Sequence, residues 1–179
     1  MAETDLAGID LLVVDVDGVL TDGRIILTPG GEEIKAFHVR DGSGMKYWKR
    51  AGKKLAIISG RSSPAVSVRA RELDVDAVRL DAKAKMPAYE EILGKLGVAE
   101  SATAVIGDDL PDLPLFLRCG FPVATADAVE EVRRAASYVT VLPGGAGCVR
   151  EVIELILKKA GLWQTILARY GPADRGRPA

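Results

Sequence analysis

Short apolar runs alternate with amphipathic stretches along almost the whole chain, the pattern of strands joined by crossover helices. The runs "IDLLVV", "KLAIIS", "VDAVRL", "ATAVIG" and "CGFPVA", with a short "SYVTV", predict six strands. They are apolar on both faces, so the sheet they form is parallel and covered by helices on each side. Helices are predicted over residues 44–50, 64–73, 85–96, 110–117, 129–135, 149–159 and 163–170. One interval breaks the rhythm. In "GRIILTPGGEEIKAFHV", residues 23–39, two extended runs flank the turn cluster "TPGG", which predicts a β-hairpin inserted after the first strand. The fold class is α/β, with a mostly parallel, Rossmann-like sheet.

With 179 residues, 48% of them apolar, the chain is long enough for one well-buried domain and short for two. That domain is placed at residues 1–170. The tail "GPADRGRPA", rich in Gly, Pro and charge, is expected to be disordered over 171–179. Lys and Arg total 24 against 25 acids, a formal net charge of −1, so no general attraction to nucleic acid or to an anionic membrane is expected. Neither a membrane span nor an N-terminal basic-then-apolar leader is read in the sequence, which predicts a cytoplasmic protein. Cys119 and Cys148 lack paired CxxC spacing and argue against a disulfide framework or a zinc site.

The chemistry concentrates where predicted strands end. "LLVVDVDGVLTDG" closes a strand with Asp15 and Asp17, and Gly18 lets the backbone turn over whatever the two carboxylates hold. "IGDDLPD" closes another with Asp108, Asp109 and Asp112. In a parallel α/β sheet, ligands bind outside such carboxyl ends. If the strands are neighbours, each carboxylate pair at about 5 Å and an effective dielectric near 20 repels by roughly 3 kcal/mol. A cation relieves that. Hard oxygen ligands without a His or Cys cluster favour Mg2+. Alone, "DVD" reads as a strand-end turn and "DDLPD" as a capped helix start. Together, each after a strand, they read as a site. "SGR" brings the Ser59 hydroxyl and the Gly60 amide to the same edge as phosphate donors, and Lys85 supplies a positive charge.

This order of motifs resembles the haloacid dehalogenase superfamily of aspartyl-phosphate phosphohydrolases. The resemblance implies that Asp15 is nucleophile and metal ligand. It makes Asp17 the general acid/base, with its backbone carbonyl on the metal. Ser59 and Lys85 would bind the phosphoryl group, and Asp108 would complete the ligation of Mg2+. Asp109 would position Lys85 or a metal-bound water, with Asp112 in support. Burial and neighbouring carboxylates are expected to keep Asp17 protonated for the first step, while the cation lowers the pKa of Asp15.

The intervals that hold a cap domain in many superfamily members contain only the hairpin and one helix here. The chain therefore resembles the capless, tetrameric 3-deoxy-D-manno-octulosonate 8-phosphate phosphatases. The supporting stretches are "FHVRDGSGM", "ISGRSSPAV", "RAREL", "KAKMPAYEEIL", "GDDLPDLPLF" and "GGAGCVREVIELIL". The similarity implies a sugar-phosphate substrate and a homotetramer whose subunits close each other's sites. It places His38, Val39, Arg40, Asp41, Gly42, Gly60, Arg61 and Arg69 among the substrate contacts, the arginines suiting an anionic sugar acid. Two positions depart from the family pattern: His38 replaces a common Asn, and "GGAG" with Ala146 replaces "GGRG".

Related readings are a phosphatase for sialic-acid-type 9-phosphates and a non-catalytic assembly module. The intact set of Asp15, Asp17, Lys85 and Asp108 argues against the latter. A phospho-accepting receiver domain lacks the "DxDG" doublet. "LPGGAGCVRE" has a helix N-terminus for an anion but not the Lys and Ser/Thr of a nucleotide P-loop.

Overall fold

The computed structural model describes residues 6–171, so nearly all of the predicted disordered tail lies outside the described residues. In chain order the strands are β1 (Leu11–Val14), β2 (Ile26–Leu27), β3 (Glu33–Ile34), β4 (Lys54–Ile58), β5 (Ala77–Arg79), β6 (Thr103–Gly107), β7 (Phe121–Ala124) and β8 (Tyr138–Val139). The helices are α1 (Val39–Arg50), α2 (Pro64–Glu72), α3 (Lys85–Leu96), α4 (Leu113–Phe116), α5 (Glu130–Ala135), α6 (Cys148–Lys159) and α7 (Trp163–Leu167). Six strands form a parallel sheet in the order β5-β4-β1-β6-β7-β8, while β2 and β3 pair separately as the predicted hairpin. The α/β architecture read from the sequence holds. Among the described residues, no helix is long and apolar enough to cross a membrane.

Both faces of the sheet are dry because β1 is apolar at every position, and β4 and β6 carry a polar side chain only at their first residues, Lys54 and Thr103. Leu12 and Val14 face a core with Met45 and Trp48 of α1, Val66 and Ala70 of α2, and the stripe of α6. Leu11 and Val13 face the other core, built on Tyr89 and Ile92 of α3, Leu115 and Phe116 of α4, and Val132 of α5. Helix α6 owes its place to Val149, Val152, Ile153, Ile156 and Leu157, all buried on one face at 3.6-residue spacing. Each such side chain contributes about 1.5–3 kcal/mol of burial.

Strand β1 lies between β4 and β6, so the chain leaves it in one direction and later returns on its other side. That is the topological switch point of an open α/β sheet, and its crevice lies beyond the strands' carboxyl ends. Asp15, Ser59 and Asp108 each follow one of these three strands.

Three local readings change. Helix α1 starts at Val39, five residues before the predicted start, because His38 caps it: Nδ1 accepts from the Arg40 N–H at 3.3 Å. Gly42 and Gly44, weak helix formers, hid this turn. The helix predicted over 110–117 divides into a 3-10 turn, Leu110–Asp112, and the short α4, since Pro111 and Pro114 cannot donate backbone hydrogen bonds. Strand β8 is only two residues long at the sheet edge.

Glycine packing gives a sharp test of this geometry. A Cβ on Gly44 would lie 3.1 Å from the Arg150 Cα of α6, whereas one on the exposed Gly94 of α3 would meet nothing within 4 Å. Gly94→Ala should stabilise the protein by about 0.5–1 kcal/mol. Gly44→Ala should lose that gain and destabilise by about 1–3 kcal/mol through overpacking. Urea unfolding of the two variants measures the difference.

Candidate active site

Beyond β1 the chain makes a wide turn, Val16–Leu20, closed by the Thr21 N–H donating to the Val16 carbonyl at 3.0 Å. Gly18 sits at φ +91°, and a Cβ there would fall 2.1 Å from Asp108 Oδ2. No other residue fits both constraints. The turn is held from outside by the loop before α6. Gly145 N–H donates to the Val19 carbonyl at 2.9 Å, and a Cβ on Gly144 would lie 1.9 Å from the Gly18 oxygen. Asp127 Oδ1 in turn accepts from the Gly144 N–H at 2.9 Å.

Asp15, Asp108 and Asp112 bring carboxylate oxygens within 4.8 Å of one another. Lys85, at the first position of α3 with its side chain 5% exposed, places Nζ 2.9 Å from Asp15 Oδ1 and 2.6 Å from Asp112 Oδ1. Burial alone would lower its pKa, but the carboxylates of Asp15 and Asp112 outweigh it and the pKa is raised. Burial first, opposed by Lys85 and reinforced by Asp112, raises Asp15 to about 6. Burial, then Asp15 and Asp112, raises Asp108 to about 8. The protein's own groups thus push Asp15 up, opposite to the lowering expected of it with a cation.

Asp108 Oδ1 is buried and has no hydrogen-bond partner. Asp112, by contrast, is committed: besides Lys85, its Oδ2 accepts from the amides of Asp108 at 3.1 Å and Asp109 at 3.4 Å. An unpaired buried oxygen beside a second crowded carboxylate is a donor set for a hard divalent cation, so the residues present fit one, with Asp15 and Asp108 as its carboxylate ligands.

The other predicted residues fall in four places. Ser59 is buried at the end of β4, its oxygen accepting from the Arg61 N–H at 3.2 Å and its hydroxyl proton free to donate; Gly60 follows it at the same edge. Asp17 lies among cations, not carboxylates: Lys35 donates to its Oδ1, and Arg61 Nε is 3.7 Å from its Oδ2. Asp109 does not reach Lys85. Its side chain caps the Leu110 N–H at 2.8 Å, and Asp112, brought back beneath the strand end by the 3-10 turn, holds the lysine instead.

The segment expected to line the sugar is the first turn of α1. Asp41 points inward, 1% exposed, and accepts from the Arg150 N–H at 2.8 Å, so the anion at the N-terminus of α6 is the protein's own carboxylate. Arg40 and Val39 are exposed, and His38 serves as the cap of α1. Arg69 packs across Gly42, pairs with Glu72 at 2.8 Å and lies over the Phe37 ring. It borders a surface groove with Phe37, Val39, Ala65 and Val68, apart from the carboxylates.

Residues 37–120 match the model of the haloacid dehalogenase-like hydrolases. A 3-deoxy-D-manno-octulosonate 8-phosphate phosphatase of Haemophilus influenzae is 41% identical over 156 residues, 87% of each chain. One from Salmonella typhi is 41% identical over 88% of this chain and 84% of its own. The chain belongs to this phosphatase family of haloacid dehalogenase-like hydrolases. Among solved structures, the Moraxella catarrhalis phosphatase, determined with magnesium, phosphate and KDO, superposes with a TM-score of 0.90 at 42% identity, covering 93% of this chain and 95% of that one. The cobalt-bound Haemophilus influenzae phosphatase gives 0.85 at 41% identity, over 88% and 92%.

Several residues of this family member's site carry no signal in the sequence reading. Lys35, Glu33 and Asp127 stand in no motif or spacing that singles them out. The loop "LPGGAG" reads in sequence as an anion cradle at a helix N-terminus, not as a backbone clamp on the Asp17 turn.

The raised pKa values fix a sign. Between about pH 4 and 8, Asp15 and Asp108 bind protons more tightly folded than unfolded, so they make stability fall as pH rises. In EDTA, the melting temperature of Asp108→Asn should exceed that of the wild type by more at pH 8 than at pH 5. Added Mg2+ should raise the wild-type value most at pH 8 and leave the variant's almost unchanged. Scanning calorimetry on the two proteins checks both.

Proposed function

We propose that this phosphatase-family chain is a Mg2+-dependent phosphomonoester hydrolase that releases phosphate from 3-deoxy-D-manno-octulosonate 8-phosphate through an aspartyl-phosphate on Asp15. The observation that carries the chemistry is the buried Asp15 carboxylate between Lys85 and the unpaired Asp108 oxygen at the switch point of the sheet. Identity of 41–42% to phosphatases of that substrate over most of the chain supports the choice of sugar.

In this reading Ser59, the Gly60 amide and Lys85 hold the phosphoryl oxygens while a carboxylate oxygen of Asp15 attacks phosphorus in line with the departing sugar oxygen. Asp17 gives that oxygen a proton, and later takes one from the water that cleaves the acyl phosphate. When bound, Mg2+, held by Asp15, Asp108 and the backbone carbonyl of Asp17, neutralises charge on the carboxylates and the phosphoryl oxygens. Both cysteines are unpaired, which suits the reducing cytoplasm.

Asp15→Asn should reduce phosphate release by at least ~10⁴-fold, the scale of losing a nucleophile, while the fold is kept. Phosphate assays and circular dichroism measure the two, and near-normal turnover would rule out the covalent route. A panel including sialic-acid-type 9-phosphates ranks the substrates.

Assembly belongs to the same reading. The hairpin exposes Ile25, Ile26, Leu27 and Ile34, with Leu27 61% exposed, and the Phe37–Val39–Val68 groove lies nearby. Isolated two-residue strands cannot support such a face in water. The proposal is a homotetramer in which hairpins associate and Arg69 serves a neighbour's site. Sedimentation should give the mass of four chains for the wild type. For the double variant Ile26→Asp, Leu27→Asp, it should give a smaller species that turns over the sugar acid poorly.

A further inference from the structure

Lys35, just after β3, is a lysine with its side chain only 1% exposed. Such burial is rare for this residue and costs several kcal/mol unless geometry repays it. Its Nζ donates to Asp17 Oδ1 and lies 3.4 Å from Glu33 Oε1. The same Glu33 oxygen accepts from Arg61 Nη2 at 2.8 Å, and the hydrogen bond from Arg61 is the leading reason the Glu33 pKa is lowered. Arg61 Nε then faces Asp17 Oδ2 at 3.7 Å, beyond hydrogen-bond distance. Four side chains from three segments close a ring: the turn after β1, the hairpin, and the turn after β4. A ring that needed only to pack the hairpin would do so at lower cost with apolar residues. What these charges add is direction: one oxygen of Asp17 accepts a hydrogen bond from Lys35, and the other faces Arg61 at 3.7 Å without one.

We propose that Lys35 is a positioning residue for Asp17, holding Oδ1 so that Oδ2 is the oxygen that exchanges a proton with the substrate. This rests on the reading of Asp17 as the proton carrier. As a bond forms from Asp15 to phosphorus, the phosphorus–oxygen bond to the sugar breaks, its electron pair goes to the sugar oxygen, and that oxygen takes the proton from Asp17 Oδ2. In the second half, water gives a proton to Oδ2 as its oxygen bonds to phosphorus, and the bond from Asp15 to phosphorus breaks. Glu33 braces Lys35 and Arg61 on the hairpin side. The insertion is then part of the proton-transfer apparatus as well as a cover.

The test is leaving-group dependence of kcat/KM, which reports steps only up to departure of the leaving group and so excludes the water step both esters share. An alkyl phosphate needs a proton on its leaving oxygen and p-nitrophenyl phosphate hardly does. Asp17→Asn should lower kcat/KM about 10²-fold or more on the sugar 8-phosphate, and far less on the aryl ester. Lys35→Met should lower kcat/KM about 10- to 100-fold on the sugar phosphate and leave kcat/KM on the aryl ester within about 3-fold of wild type. Lys35→Arg should recover part of the loss, and adding Lys35→Met to Asp17→Asn should cost nothing further. Equal losses on both esters for Lys35→Met, or full additivity with Asp17→Asn, would overturn the proposal while leaving Asp17 as the acid. Equal losses on both esters for Asp17→Asn itself would overturn both readings. If Lys35→Met does not fold, Glu33→Gln takes its place: it loosens Lys35 without removing the charge and should repeat the ester-dependent pattern on a smaller scale, whereas no such pattern would count against the proposal.

Discussion

Mutual repulsion among Asp15, Asp108 and Asp112 governs the carboxyl edge of the sheet. Lys85 touches two of the three and neutralises only one charge, so the ionised cluster retains a formal charge of about −2 in a largely buried setting. That deficit explains why the protein's own groups raise the pKa of Asp15 and Asp108, and why an oxygen of Asp108 is left without a partner. A divalent cation bound there would bring that formal charge to zero. The tension is kept at the switch point, where three strand ends must meet in any case, and the two apolar cores on either side supply the stability that tolerates it.

Much of this was legible because it follows from local rules. Apolar runs marked every strand of the sheet, and the doublet after the first was anomalous enough to locate an edge site. Other parts were not legible, for physical reasons. Asp109 and Asp112 lie three residues apart in one turn, and only the 3-10 geometry imposed around Pro111 and Pro114 turns Asp112 toward Lys85. Asp41 is followed by Gly42 and Gly44 in what reads as loop, yet the helix starts earlier and turns the carboxylate onto α6.

Lys35 is the clearest failure of sequence reading. In "GGEEIKAF" a lysine between apolar residues has the spacing of a solvent-facing hairpin position. Its burial depends on the hairpin folding back over the Asp17 turn, a contact between segments 18 residues apart that no periodicity encodes. The same holds for Arg69. The sequence placed it with the substrate, and the fold places it beside Phe37 and Glu72, apart from the carboxylate cluster.

The turn that bears Asp17 is gripped in two different ways. On the α6 side the grip is backbone against backbone, with Gly144 and Gly145 lying flat on Gly18 and Thr21 and no room for even one methyl group. On the hairpin side the grip consists of long charged side chains that reach across space. Inherited change therefore meets unequal resistance on the two sides. Any side chain at 144 would strike the turn itself, whereas the hairpin can exchange one reaching side chain for another with the turn unmoved. A lineage built on this scaffold is free to change the side chains that reach Asp17, and with them the aim of that carboxylate, far more readily than the path of the turn that carries it.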